Sequence, residues 1–202
     1  MSGEETVFIQ TKSLTDMALK SNELLLDIIN GKNNIESIKK LQKKASVEYL
    51  ELSHTITSGA IAPNIIDDML LLLNKEENIL DSIFKISRQF IRYKSKDQKI
   101  TEYIKVTTLS FLGYASSSIK LLSQMHKADT INKIKLFRSR IKQIENEGDM
   151  LRDSMLDFAY STETDFKLFY HLIDLAYMCD DILDACEDAS DIFLSIMLSI
   201  TS

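Results

Sequence analysis

Ile65, Met69, Leu72, Glu76, Ile79, Ile83, Ile86 and Phe90 step by four and three along one stretch of the chain. Leu168, Leu172, Leu175, Cys179, Ile182, Cys186, Ala189 and Phe193 do the same along another. Each member of the second run lies 103 residues beyond its counterpart in the first, with no gap. Steps of four and three place side chains on one stripe of an α-helix, so each run predicts a long helix with a single apolar seam. A constant offset predicts an internal duplication. The same offset pairs Ile79-Leu80-Asp81 with Ile182-Leu183-Asp184, and it sets Leu41–Ser46 (LQKKAS) over Ile144–Asp149 (IENEGD). Few residues are identical, so the pattern carries the case.

The rest of the chain agrees with long helices. One Pro and five Gly in 202 residues are too few to punctuate a β-rich fold. The breaks are NGKNN at 30–34, SGAIAPN at 58–64, KSKDQK at 94–99, KADT at 127–130 and STETD at 161–165. They delimit six helical stretches near 6–30, 34–58, 64–94, 98–127, 130–160 and 164–200. Connections this short join antiparallel neighbours. The expected fold is all-α: two pseudo-symmetric antiparallel three-helix bundles, residues 1–96 and 97–202, joined near residue 96. At 45% hydrophobic and 27% charged residues, the chain can bury a core and is no disordered protein.

Several function classes are disfavoured. A net charge of −6 argues against nucleic acid as the main partner, because phosphates need a basic face. The start MSGEETVF is polar and acidic, unlike a signal peptide. The longest uncharged apolar run, Ile192–Ile200, falls short of the roughly 18–20 residues that span a bilayer. Cys179 and Cys186, seven residues apart on a helix, have Cα atoms about 10 Å apart and cannot pair. Both lie on the seam, so they are expected as reduced core residues. His126 and His171 are expected at the surface or its boundary. There is no Gly-rich phosphate loop, and the helix pattern brings together no Ser/His/Asp or Cys/His set. A soluble cytoplasmic protein that is not an enzyme is the expectation.

The sixth stretch carries the chemistry. Asp174, Asp180, Asp181, Asp184, Glu187, Asp188 and Asp191 fall between Leu168 and Ser202 without a single Lys or Arg. Asp180, Asp184, Glu187 and Asp191 share one side of a helix, outside the seam. Like charges at this spacing repel by about 0.2–0.5 kcal/mol per pair. A stripe without counter-charge of its own invites an external one: a metal ion or a basic surface on a neighbouring chain. The fifth stretch adds Glu145 and Asp149 at the same spacing, with Glu147 between them. Two such pairs on adjacent helices can direct four or more oxygens at one place. That donor set suits hard or borderline cations such as Mg²⁺, Mn²⁺ or iron, with Zn²⁺ a further candidate. A solvated acidic face is the competing structural reading.

These residues resemble a known pattern. The element Glu145-x-Glu147-Gly148-Asp149, followed by Asp180, Asp181, Ile182, Asp184, Glu187, Asp188 and Asp191, is similar to that of PhoU-like phosphate transport regulators, in the branch found with Pit-type phosphate transporters. The likeness is most specific over residues 141–193, and the first half follows the same plan. It implies a duplicated three-helix bundle with E/D-x-x-x-D metal clusters on its surface, and a regulatory task. Expected metal ligands are Glu145, Asp149, Asp180, Asp184, Glu187 and Asp191. The expected partner is a phosphate transporter or its signalling partner at the inner face of the membrane. A homo-oligomer is compatible with all of this.

The first half departs from the pattern. Gln42, Lys44 and Ser46 stand where acids are expected, and Phe84, Lys85 and Arg88 follow Glu77 and Asp81. Glu77 and Asp81 are therefore a residual site at most, with Lys44, Lys85 and Arg88 as substitutes for a cation. Two rival functions remain. A ferritin-like di-metal carboxylate enzyme needs two core Glu-x-x-His motifs. Here only Glu51-x-x-His54 occurs, with Glu48 and Glu76 on seam positions. A metal-free helical adaptor would use the acidic stripe against a basic protein surface.

Overall fold

A computed structural model describes residues 3–32, 34–92, 97–162 and 165–201. The chain forms six α-helices: α1 (Gly3–Ile29), α2 (Ile35–Thr55), α3 (Ile66–Arg92), α4 (Gln98–Met125), α5 (Ile131–Ser161) and α6 (Phe166–Thr201). Among the described residues there is no strand. Each boundary has a local cause. After α1, Gly31 at φ 93° closes the helix: Lys32 N–H bonds the carbonyl of Asp27, and Gly31 N–H that of Ile28. Asp97 caps α4 by accepting from the amides of Lys99 and Ile100. Thr130 caps α5, and Asp165 accepts from the Leu168 amide at the start of α6. Between α2 and α3 a wide π turn, Ile56–Ala60, ends at Gly59 with φ 94°, and Pro63 opens a single 3₁₀ turn. The expected join near residue 96 lies outside the described residues.

Packing follows the duplication. α1, α2 and α3 pack on one another, and so do α4, α5 and α6. The halves meet through α3 against α6 and α1 against α4. Exchanging α1 with α4, α2 with α5 and α3 with α6 leaves this pattern unchanged, as the pseudo-symmetric bundle requires. α3 and α6 run antiparallel, with Lys75 beside Asp188 and Asp68 beside Ser195. Every seam residue is buried except Phe90, which is partly covered. The two seams and the inner faces of the other helices form one hydrophobic cluster. Cys179 and Cys186 lie in it as free thiols, and burial pushes both up in pKa.

Both histidines depart from the expectation. Glu76, on the α3 seam, is fully buried. Its Oε1 accepts from the Thr15 hydroxyl at 3.0 Å and lies 2.8 Å from His126 Nε2. The His126 side chain is itself buried, edge-on to Phe193 with ring centres 4.7 Å apart. A seam carboxyl needs a partner to stay in a core, and His126, the residue that follows α4, supplies it. His171 is buried too, which lowers its pKa against the opposing charge of Asp174.

Candidate metal centre

α5 and α6 pack antiparallel, and their facing residues form a ladder. Arg138 meets Asp191 as a bidentate pair. One turn on, Lys142 meets Glu187 at 2.8 Å. The next two rungs set acid against acid: Glu145 faces Asp184, and Asp149 faces Asp180. The close approach depends on Gly148, where a Cβ would overlap Leu183 Cδ1 of α6. A hydrogen at that position lets the two backbones come near enough for short carboxylates to face one another.

Glu145, Asp149 and Asp184 each offer an oxygen, and the three lie within 4.8 Å of one another. Among the described residues no other His, Cys, Asp and Glu set converges in this way. Of these three, Glu145 pairs with Lys142 and Asp149 with Arg152, whereas Asp184 has no Lys or Arg within salt-bridge distance among the described residues. Its carboxyl is pushed up to about 6, first by desolvation and then by the charges of Asp180, Glu145, Asp149 and Asp181. A carboxyl raised this far is poorly solvated first and crowded by like charges second.

The α6 stripe has no Lys or Arg of its own, and neighbouring helices of the same chain supply most of the counter-charge. Arg138 and Lys142 hold Asp191 and Glu187, and Lys75 of α3 holds Asp188 at 2.6 Å. Lys142 also reaches Glu145 at 3.0 Å. Arg152 bridges Asp149 and Asp180, 2.6 Å from each, and bonds Asp153 at 2.9 Å. All three α5 bases are raised in pKa by hydrogen bonds to these acids. Asp180 is not on the outer side of α6 as expected. It is 4% exposed, and its Oδ1 is buried without a partner. Burial raises its pKa, while Arg152 opposes the rise. Of the six expected ligands, then, Glu145, Asp149 and Asp184 converge, Asp180 adjoins them through Arg152, and Glu187 and Asp191 are engaged in ion pairs.

The bases could have been found in the sequence. Arg138, Lys142, Glu145, Asp149 and Arg152 step by four and three, the rhythm of the α6 acids they face. Counting charge along one helix at a time hides this cross-helix pairing.

The first half holds the same rungs with other chemistry. Ser46 stands for Asp149 and donates to Glu77 Oε1 at 2.8 Å. Gln42 stands for Glu145 and donates to Ser46 at 3.3 Å. Lys85 pairs with Asp81 at 2.8 Å, as expected. Arg88 instead lies over the Phe84 ring, 5.7 Å from its centre, and Lys44 is solvent-exposed. Glu77 and Asp81 are thus satisfied by hydrogen bonds and a lysine. The Glu51-x-x-His54 motif points to solvent, so no ferritin-like core site forms around it.

The donor set fits one small hard cation. It is all carboxylate oxygen, it carries surplus negative charge, and the buried Asp180 Oδ1 beside it lacks a hydrogen-bond partner.

No protein-family model matches this chain, and no curated protein matches it in sequence. Solved structures do match. A PhoU-like phosphate regulatory protein from Shewanella oneidensis MR-1 is 18% identical, with a TM-score of 0.65 over 96% of this chain and 99% of that one. A PhoU-like protein from the same organism is 17% identical, with a TM-score of 0.66 over 96% of each chain. At such identities the likeness establishes the fold alone: the all-α bundle of PhoU-like proteins, which the sequence resemblance implied.

Proposed function

We propose that this chain is a non-catalytic regulator of inorganic phosphate transport that holds a metal ion through Glu145, Asp149 and Asp184. The observation that carries the metal is Asp184, an uncompensated acid facing two others across a contact that Gly148 makes close. The observation that carries phosphate regulation is the full-length likeness to a structure designated a PhoU-like phosphate regulatory protein, together with the E/D-x-x-x-D elements. Iron, Mn²⁺, Mg²⁺ and Zn²⁺ are the candidate ions. The partner in this reading is a phosphate transporter, of the Pit type on the sequence pattern, or its signalling partner. The protein would work in the cytoplasm, against the inner face of the membrane. Among the described residues no helix is long and apolar enough to cross a bilayer. Cytoplasmic loops of membrane proteins are rich in Lys and Arg, which suits the remaining acids of α6.

A metal-free adaptor is the second reading, favoured by the α5 bases that neutralise much of the stripe. The test is phosphate uptake in cells lacking the protein, with metal analysis of the purified chain alongside. Uptake and its response to phosphate supply should change in the deletion, and Asp184→Asn should fail to restore them. Asp184→Asn should also lose its metal while staying helical. Metal-free wild-type protein with altered uptake in the deletion would favour the adaptor, and unchanged uptake would remove the phosphate role.

A further inference from the structure

Two adjacent acid-on-acid rungs, Glu145 with Asp184 and Asp149 with Asp180, present four carboxylates. Four carboxylates on two helices are enough to bridge a pair of cations. Yet the second rung already holds a cation. The Arg152 guanidinium lies 2.6 Å from one oxygen of Asp149 and 2.6 Å from one of Asp180, and it is anchored from outside by Asp153. It uses Asp149 Oδ1 and Asp180 Oδ2, which leaves the buried Asp180 Oδ1 without a partner.

We infer that Arg152 is a built-in substitute for a second metal ion, so that the centre takes one ion, between Glu145, Asp184 and the second oxygen of Asp149, and Asp180 stays closed to metal. This rests on the metal reading above and goes further, to the number of ions and the residue that sets it. Geometry supports it. Without Arg152, the unpartnered Asp180 Oδ1 and the released oxygens of Asp149 and Asp180 would supply the ligands for an added ion. A guanidinium suits this duty better than an ammonium, because Nη1 bridges Asp149 and Asp180 while Nε and Nη2 hold Asp153 and fix the plane in register. The residue at the equivalent position of the first half is Tyr49. There the second rung is the Ser46–Glu77 hydrogen bond, which needs no cation.

The test uses the full chain, stripped with chelator and reloaded with Mn²⁺ alone. Metal content is counted after desalting, and electron paramagnetic resonance distinguishes an isolated Mn²⁺ from a coupled pair. Wild type should hold about one Mn²⁺ per chain with the isolated signature. Arg152→Gln should hold about two, with a coupled signal, and Arg152→Lys should return toward one. Two ions in wild type would overturn the inference whether or not Arg152→Gln folds. One ion in a helical Arg152→Gln would overturn it and leave the metal reading standing. No ion in either protein would overturn both.

Discussion

Asp184 ties the candidate centre to pH. Its folded-state pKa of about 6 lies above the ordinary 3.8, mainly through desolvation and then through neighbouring charge. An acid raised in the folded state favours folding where it is protonated. Its contribution is complete below about pH 3.8 and is lost as pH rises through about 6. Asp180 and Asp181 are displaced in the same direction, so they add to the trend. Metal-free protein should therefore lose melting temperature between about pH 5.5 and about pH 7.5, and Asp184→Asn should lose less. Mn²⁺ should restore the wild type at the higher pH by replacing the missing proton with a cation, and should leave Asp184→Asn unmoved. Thermal melts of both proteins at the two pH values check this. Equal slopes would mean that Asp184 does not carry the strain.

The contact of α5 with α6 fixes the geometry of the site, and at Gly148 the Leu183 side chain of α6 occupies the place a Cβ would take. Gly→Ala inside a helix ordinarily gains about 0.5–1 kcal/mol. Here the new methyl would meet Leu183 Cδ1, and Leu183 is buried. Overpacking of that kind costs typically about 1–3 kcal/mol. The overlap is with the far end of one side chain, so the cost should fall low in that range and the net loss should be about 1 kcal/mol. Metal affinity should fall with it, because separating the helices separates the rungs. In a Leu183→Ala background the same substitution should become stabilising, since only the propensity gain remains. Urea melts of the four proteins close the cycle, and additivity would refute the close-approach argument. The elements themselves were legible in the sequence, because a seam of fixed step and a shortage of Pro and Gly leave few other solutions. The site was legible only in part. Glu145, Asp149 and Asp184 followed from spacing, but Asp180 was read as solvent-facing and the α5 bases went unseen. His126 was missed for a similar reason: its partner Glu76 is remote in sequence, and one helix's pattern does not say which side chain ends opposite another.

The six helices enclose one apolar cluster. Glu76 and Thr15 of the first half bond or adjoin His126 of the second, and Asn22 donates to the carbonyl of Leu112. We read residues 1–96 and 97–202 as two copies of one unit that share a core and are not independent folding bodies. Separation would bare the seam of α3 and leave Glu76 without its histidine. Leaving a buried hydrogen-bonding group without its partner costs about 1–3 kcal/mol, a sizeable part of the roughly 5–15 kcal/mol typical of a domain. Fragments 1–96 and 97–202 made separately should be partly helical and melt without a cooperative transition. Mixed in equal amounts, they should associate and regain a single melt. Cooperative folding of either alone would establish two domains instead.

Because the apolar seam and the acidic ladder occupy different sides of the same helix, the two copies can diverge in chemistry while their packing keeps the same character. Leu80 and Leu183 stand at equivalent core positions, while the rungs beside them read Ser46–Glu77 in one copy and Asp149–Asp180 in the other. The molecule thus contains its own control: a matched interface in which hydroxyl and amide stand where carboxylates stand in the proposed metal centre. If that proposal holds, exchanging those few outer side chains between copies should carry ion binding from one end of the internal symmetry to the other without disturbing the bundle that supports both.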